Sequence, residues 1–249
     1  MDKLKKRWWL IIISMLMIMI AAFVAWALII PSPMPQALDA LQSDSQVSVT
    51  THPWLVFQPV QQIPTTGLIF YPGGRVDPRA YAPSAHAMAT KGYLVVIIPM
   101  PLNLAVLGSE RASLVIQNYT DIRSWVIGGH SLGGSMAASF SFNHLNQIKG
   151  LVLWASYPPS SNDLSGCAIK VTSIYASLDG LATPEKINTS RHLLPPDTTW
   201  VQIEGGNHAQ FGWYGSQSGD NPAIISRERQ QELVIAATLD LLQRVDQKP

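Results

Sequence analysis

The distribution of apolar and polar positions divides the chain into two unequal parts. Residues 8–30 are apolar apart from Ser14, and they follow a short basic stretch, Lys3, Lys5, Lys6 and Arg7. As a helix, those roughly 23 residues extend about 35 Å at 1.5 Å per residue, enough to cross a bilayer. Apolar side chains on every face argue against a helix buried in a soluble core. Pro31, Pro33 and Pro35 then break the helix and predict a short stiff spacer, with a linker over 31–45. From about Gln46 onward, short apolar runs alternate with segments of helical spacing. The runs predict an antiparallel first strand over 54–57, then strands over 67–71, 93–98, 124–128, 149–155, 169–176 and 199–204. Their unbroken apolar character suits a parallel sheet covered on both faces. Helical spacing predicts helices over 81–91, 109–118, 133–140 and 226–243. Gly92 stops the first of these, and Thr183-Pro184 opens another with a capping residue and a proline in its first turn. Strands and helices in this order predict a doubly wound, mostly parallel α/β sheet over 46–249.

The expected organisation is therefore a basic N-terminus over 1–7, a transmembrane anchor over 8–30, the linker, and one α/β domain. Lys and Arg before the span predict a cytoplasmic N-terminus and an extracytoplasmic domain. Trp8, Trp9 and Trp26 suit the two membrane interfaces. The rival reading is a cleaved signal and a secreted domain, because Ala25-Trp26-Ala27 has the small-x-small form of a cleavage site. The apolar run continues past it through Leu28, Ile29 and Ile30 and exceeds the usual signal core, which favours the anchor.

Charge and composition narrow the chemistry. The formal net charge is +1 and no basic block follows residue 7, so nucleic acid is not an expected partner. Cys167 is the only cysteine, so no internal disulfide can form. The six histidines are scattered, with no H-E-x-x-H and no paired cysteines, so neither a metal nor a cofactor is expected. The glycines near residue 131 lack the Gly-Lys-Ser/Thr ending of a phosphate-binding loop.

Those glycines serve a different motif. Gly129-His130-Ser131-Leu132-Gly133 has the form G-x-S-x-G, set between an apolar strand and a run of small residues suited to a helix. Such an elbow needs glycines flanking the serine because the turn is strained and neighbouring backbone comes close. A serine there requires a base, an orienting acid and an anion-stabilising pocket. On a strand–elbow–helix scaffold the acid and then the histidine follow the serine in the chain. Asp179 and His208 each lie just past the end of a predicted strand, on the rim where open α/β sheets build their sites. Asp163 is the fallback acid. His130 should point away from the base position, and His86, His144 and His192 suit ordinary surface positions. For the oxyanion hole, Leu132 supplies the amide after the nucleophile. Gly74 is the choice in Pro72-Gly73-Gly74-Arg75, with Arg75 second, since Pro72 has no N–H to give. Arg75, Asn103, Phe211, Trp213 and Tyr214 are candidates to border the substrate pocket, though packing accounts for them equally well.

Taken together, residues 71–77, 129–134 and 206–212 resemble the α/β-hydrolase superfamily, particularly compact lidless members similar to dienelactone hydrolases and carboxylesterases. The resemblance covers roughly residues 46–245 and is most specific at the elbow. It implies the α/β-hydrolase fold and a serine hydrolase that cleaves a small-molecule carboxylic ester, or a thioester or amide, through an acyl-enzyme. Two departures stand out. A proline occupies the place of the histidine common before the oxyanion-loop glycine. The nucleophile is serine where dienelactone hydrolases proper use cysteine, so their substrate does not carry over. The competing class is a catalytically silent, membrane-tethered binding module on a hydrolase scaffold, because fold alone does not establish function.

Overall fold

The computed structural model describes residues 2–247, with side chains from Arg7 onward. Met1, and the lysine side chains of the basic 1–7 segment, lie outside the described residues. Helix α1 (Asp2–Leu28) is followed by α2 (Pro35–Asp39) and two strands, β1 (Val47–Thr50) and β2 (Leu55–Pro59). Then come β3 (Thr66–Tyr71), α3 (Ala82–Ala89), β4 (Leu94–Ile97), α4 (Ala112–Asn118), β5 (Ser124–His130) and α5 (Leu132–Asn143). The chain finishes with β6 (Ile148–Trp154), β7 (Lys170–Ala176), α6 (Pro184–Ser190), β8 (Thr199–Ile203) and α7 (Arg227–Asp246).

The eight strands form one sheet in the order β1-β2-β4-β3-β5-β6-β7-β8. The pairs β1–β2 and β2–β4 are antiparallel, and every pair from β4 through β8 is parallel. Residues alternate between the two faces along each strand, so each parallel strand feeds two cores. Leu68 and Phe70 join α3 and α7 on one face through Met88, Val234 and Leu241. Ile69 and Tyr71 join α4 and α5 on the other through Val115, Ala137 and Phe140. This double burial explains why all six positions of β3 are buried and why the strands read as unbroken apolar runs. Trp154 anchors the first core, its ring 4.5 Å from that of Phe70 and its indole N–H donating to Thr238 Oγ1 at 3.1 Å. Truncating a buried aromatic such as Phe140 should cost about 3–5 kcal/mol.

Each strand predicted from the apolar pattern is present, with ends moved by a few residues. Apolar spacing also missed two elements. Strand β1 was not expected, because its four residues pair only with β2 and just one of them is buried. Helix α2 lies within the stretch read as a linker over 31–45, and its Ala37 is buried against the domain. The helices expected over 81–91 and 109–118 each begin with a 3-10 turn, Pro78–Tyr81 and Ser109–Arg111. Helix α1 is exposed along nearly all its described length until Ala27, which is fully buried. Its segment Arg7–Leu28 is long and apolar enough to cross a membrane.

Candidate active site

The loops that follow β3, β5, β7 and β8 all emerge at the carboxyl end of the parallel sheet. Ser131 stands at the sharpest of these turns, with φ 51° and ψ −121°, a conformation that a side chain normally avoids. The strain is held by the surroundings. The Ser131 amide donates to Trp154 O at 2.9 Å, and Ser156 Oγ donates to Ser131 O at 2.6 Å. The flanking glycines are required by close approach. A Cβ at Gly133 would lie 2.2 Å from Tyr71 O, and one at Gly129 would lie 2.5 Å from the Gly133 carbonyl carbon. Four other non-glycine residues have positive φ, namely Arg75, Leu102, Asn103 and Ala155, and all lie on this same rim.

Asp179 and His208 meet. His208 Nδ1 lies 2.8 Å from Asp179 Oδ2, and both side chains are fully buried. Asp179 Oδ1 accepts from the amides of Leu181 at 2.8 Å and Ala182 at 2.7 Å. A carboxylate with donors on both oxygens is fixed in place. It assigns the proton to Nδ1 of His208 and leaves Nε2 as the free basic nitrogen. Nε2 is buried and has no hydrogen-bond partner among the described residues, so Ser131 Oγ is not bonded to it. Asp163 is exposed, and its carboxylate accepts instead from the Ser165 amide at 2.9 Å.

The amides of the loop after β3 are sorted by their partners. Gly73 N–H donates to Tyr81 Oη at 3.0 Å and Arg75 N–H donates to Asn103 O at 2.8 Å. Gly74 N–H between them has no acceptor among the described residues. Leu132 is the first residue of α5, where a helix leaves its amides unpaired. Its side chain packs within 3.2 Å of where a Gly74 Cβ would sit, so the two residues expected to donate are neighbours.

Two cavities border the elbow. One, of about 280 Å³, is lined by Ser131, Leu132, Ser135, Ala155, Ser156, Tyr157, Leu181 and Ala182. The other, of about 500 Å³, includes Arg75 and Tyr214 among its walls. The remaining pocket candidates lie elsewhere. Phe211 is fully buried and stacks on His130, with ring centroids 5.6 Å apart. Trp213 is buried, its backbone tied to Ala80 and Met34. Asn103 turns its amide to Ala27 O at 3.1 Å.

His130 differs from expectation. Its ring does not point away from the base. It lies 4.5 Å from the His208 ring, fully buried, with Nδ1 2.9 Å from Tyr81 Oη. Tyr81 Oη thus joins the Gly73 amide, from which it accepts, to His130 Nδ1. Burial, followed by the proximity of His208, holds the His130 pKa well below the ordinary value. The other histidines are peripheral, with His86 beside Asp44 and His144 beside Glu110.

Asp220 is the residue that sequence reading did not find. Its Oδ1 accepts from the Gly180 amide at 3.1 Å and the His208 amide at 3.2 Å, and its Oδ2 accepts from Ala209 N–H at 2.8 Å. One carboxylate thus ties the loop of Asp179 to the loop of His208. The profile of the alpha/beta hydrolase family matches residues 67–232, a span that contains the elbow, Asp179, His208 and Asp220.

The chain belongs to the alpha/beta hydrolase family. Among solved structures, this hydrolase is similar to esterase 2 of Thermogutta terrifontis phosphoramylated by tabun. That match has a TM-score of 0.59 and 12% identity, covering 83% of this chain and 98% of that one. The esterase domain of a Rhodothermus marinus protein matches with a TM-score of 0.58 and 10% identity, over 76% and 92% of the two chains. A CIB-like hydrolase from Thermoplasma acidophilum matches at 0.54 and 15%, over 79% and 98%. At such identities the likeness is one of fold. No curated protein matches the chain.

Proposed function

We propose that this hydrolase is a membrane-anchored serine esterase that cleaves a carboxylic ester through an acyl-enzyme. The observation that carries the reading is the buried His208–Asp179 pair, which leaves His208 Nε2 free on the rim that also bears the strained Ser131. Hydrogen bonds of this kind often close only when substrate is bound, and the open Ser131–His208 contact accords with that. His208 Nε2 takes the Ser131 proton as Oγ bonds to the ester carbonyl carbon. The oxyanion formed is held by the Gly74 and Leu132 amides. Asp179 steadies the charged imidazole. The carbon–oxygen bond to the alcohol then breaks, and the alcohol leaves with the proton from His208. Water repeats the sequence, giving its proton to His208, and releases the acid and Ser131. The same machinery admits a thioester or amide.

Support for an uncleaved anchor comes from the contacts of Ala27 O and Ile29 O with Asn103 and Arg75, which bind the end of α1 to the domain. In this reading residues 8–30 span the bilayer and the catalytic domain lies outside the cytoplasm. The structural neighbour phosphoramylated by tabun supports an organophosphorus compound as the diagnostic reagent. Wild-type protein should hydrolyse p-nitrophenyl acetate and take up a fluorophosphonate label at residue 131, and Ser131→Ala should do neither. No turnover of any ester in a panel, with no label, would instead favour a silent binding module. A reporter fused to the C-terminus should be active only outside the cytoplasm.

A further inference from the structure

The end of α1 is built into the rim of the site. Ala27 is fully buried, and its carbonyl accepts from Asn103 Nδ2 at 3.1 Å. Arg75 Nη2 donates to Ile29 O at 2.8 Å, while its guanidinium lies 4.4 Å over the Trp26 ring. Arg75 directly follows Gly74, whose amide is the proposed oxyanion donor. The cavity of about 500 Å³ occupies this junction, within the roughly 300–1,000 Å³ of ordinary ligand pockets. Its walls are apolar at Trp26, Pro31, Leu104, Leu132 and Tyr214, polar at Arg75 and residues 216–218, and reach Gly74. Leu28 and Ile29, between the wall residues Trp26 and Pro31, and Val106 and Leu107, just past Leu104, are exposed. Because Ala27 and Ile29 dock on the domain, the 8–30 anchor leaves the bilayer near Trp26, at the outer interface where tryptophan side chains settle. The cavity would then lie at the depth where acyl chains meet headgroups. A chain entering from lipid along Trp26, Pro31, Leu104, Leu132 and Tyr214 keeps apolar contacts on that side of the cavity, so little hydrophobic cost opposes its capture there.

We propose that this cavity receives an acyl chain laterally from the bilayer, so that the substrate class is a membrane-resident acyl ester. The proposal rests on the esterase and anchor readings above and names where their substrate comes from. The binding half is tested without turnover. Full-length protein is reconstituted in phosphatidylcholine vesicles that include phosphatidylcholine with a terminal diazirine on one acyl chain, then irradiated. The expected result is crosslinks at Leu104 or residues 214–218 as well as within 8–28, in wild type and in Ser131→Ala alike. Ser218→Trp, which fills the cavity wall, should lose most of the 214–218 labelling and keep that on the span. Labelling confined to the span overturns the proposal whether or not the tryptophan variant folds. In the same vesicles, p-nitrophenyl palmitate should exceed p-nitrophenyl acetate in kcat/KM by about tenfold or more, and Ser218→Trp should erase that ratio. A preference for acetate also overturns it. Failure of the esterase reading has a different signature: neither ester turns over, residue 131 takes no fluorophosphonate, and the acyl crosslinks persist.

Discussion

The two halves of the candidate site are held by different means. On the β7–β8 side, Asp179 and His208 are fully buried and their loops are joined by Asp220. Arg227 reinforces that side by donating to the carbonyls of Ala209, Gly212 and Gly215. On the β3–β5 side, Gly74 and Leu132 depend on strained backbone at Arg75, Asn103 and Ser131, and on two carbonyls from beyond the domain, Ala27 O and Ile29 O. The acid–base half is thus internally braced by charged hydrogen bonds. The half proposed to hold the oxyanion borrows part of its support from the end of α1. Damage to the first should act through proton transfer, and damage to the second through stabilisation of the oxyanion.

The sharpest way to break this contrast is Asp179→Asn. An amide in that place would favour the wrong tautomer of His208, and kcat should fall by about 10⁴-fold with the fold retained, as steady-state kinetics and circular dichroism would reveal. Asp220→Ala comes next. It frees three amides around His208 and Gly180, so kcat should drop on the order of 10²-fold through misplacement of the base. Stability should fall by about 2 kcal/mol, read from urea unfolding. Arg75→Met tests the other half, and a loss of about tenfold in kcat with little change in Tm is expected. Should Arg75→Met lower Tm as much as Asp220→Ala does, the distinction between the halves would collapse.

The smallest expected effect concerns His130, which lies between the halves. Its pKa is depressed in the folded protein, so the unfolded chain takes up the proton first as pH falls below about 6.5. Stability is therefore full above that pH and is lost progressively as the pH drops further. His130→Asn should shrink the difference in Tm between pH 7 and pH 5, although Tm at pH 7 will itself fall from lost packing. An undiminished difference would assign the acid sensitivity to another group.

Much of this architecture was legible in the chain. Strands such as β3, β5 and β7 carry their burial in consecutive residues, and the elbow needs two glycines within five positions. The candidate acid and base could be placed because each follows a recognisable strand. Other features have no local mark. Asp220 sits in an irregular stretch after Gly219, and nothing near it in the chain indicates that it reaches Gly180 and His208. The ring of His130 turns toward His208 because Tyr81, 49 residues earlier, holds its Nδ1. The stretch read as a linker instead contains α2, seated through Ala37 and the Met34–Trp213 backbone bond.

By itself, the order of apolar runs, turn residues and the G-x-S-x-G elbow determined a two-sided parallel sheet, an apolar N-terminal helix and the rim on which the chemistry sits. Those properties follow from short-range sterics and from the burial of neighbouring positions. Tertiary structure alone decided which carboxylate meets His208, which of three adjacent amides finds no acceptor among the described residues, and that the end of α1 docks on the loop carrying it. Each of these depends on hydrogen bonds between residues distant in sequence, whose directions exist only once the strands have been brought side by side.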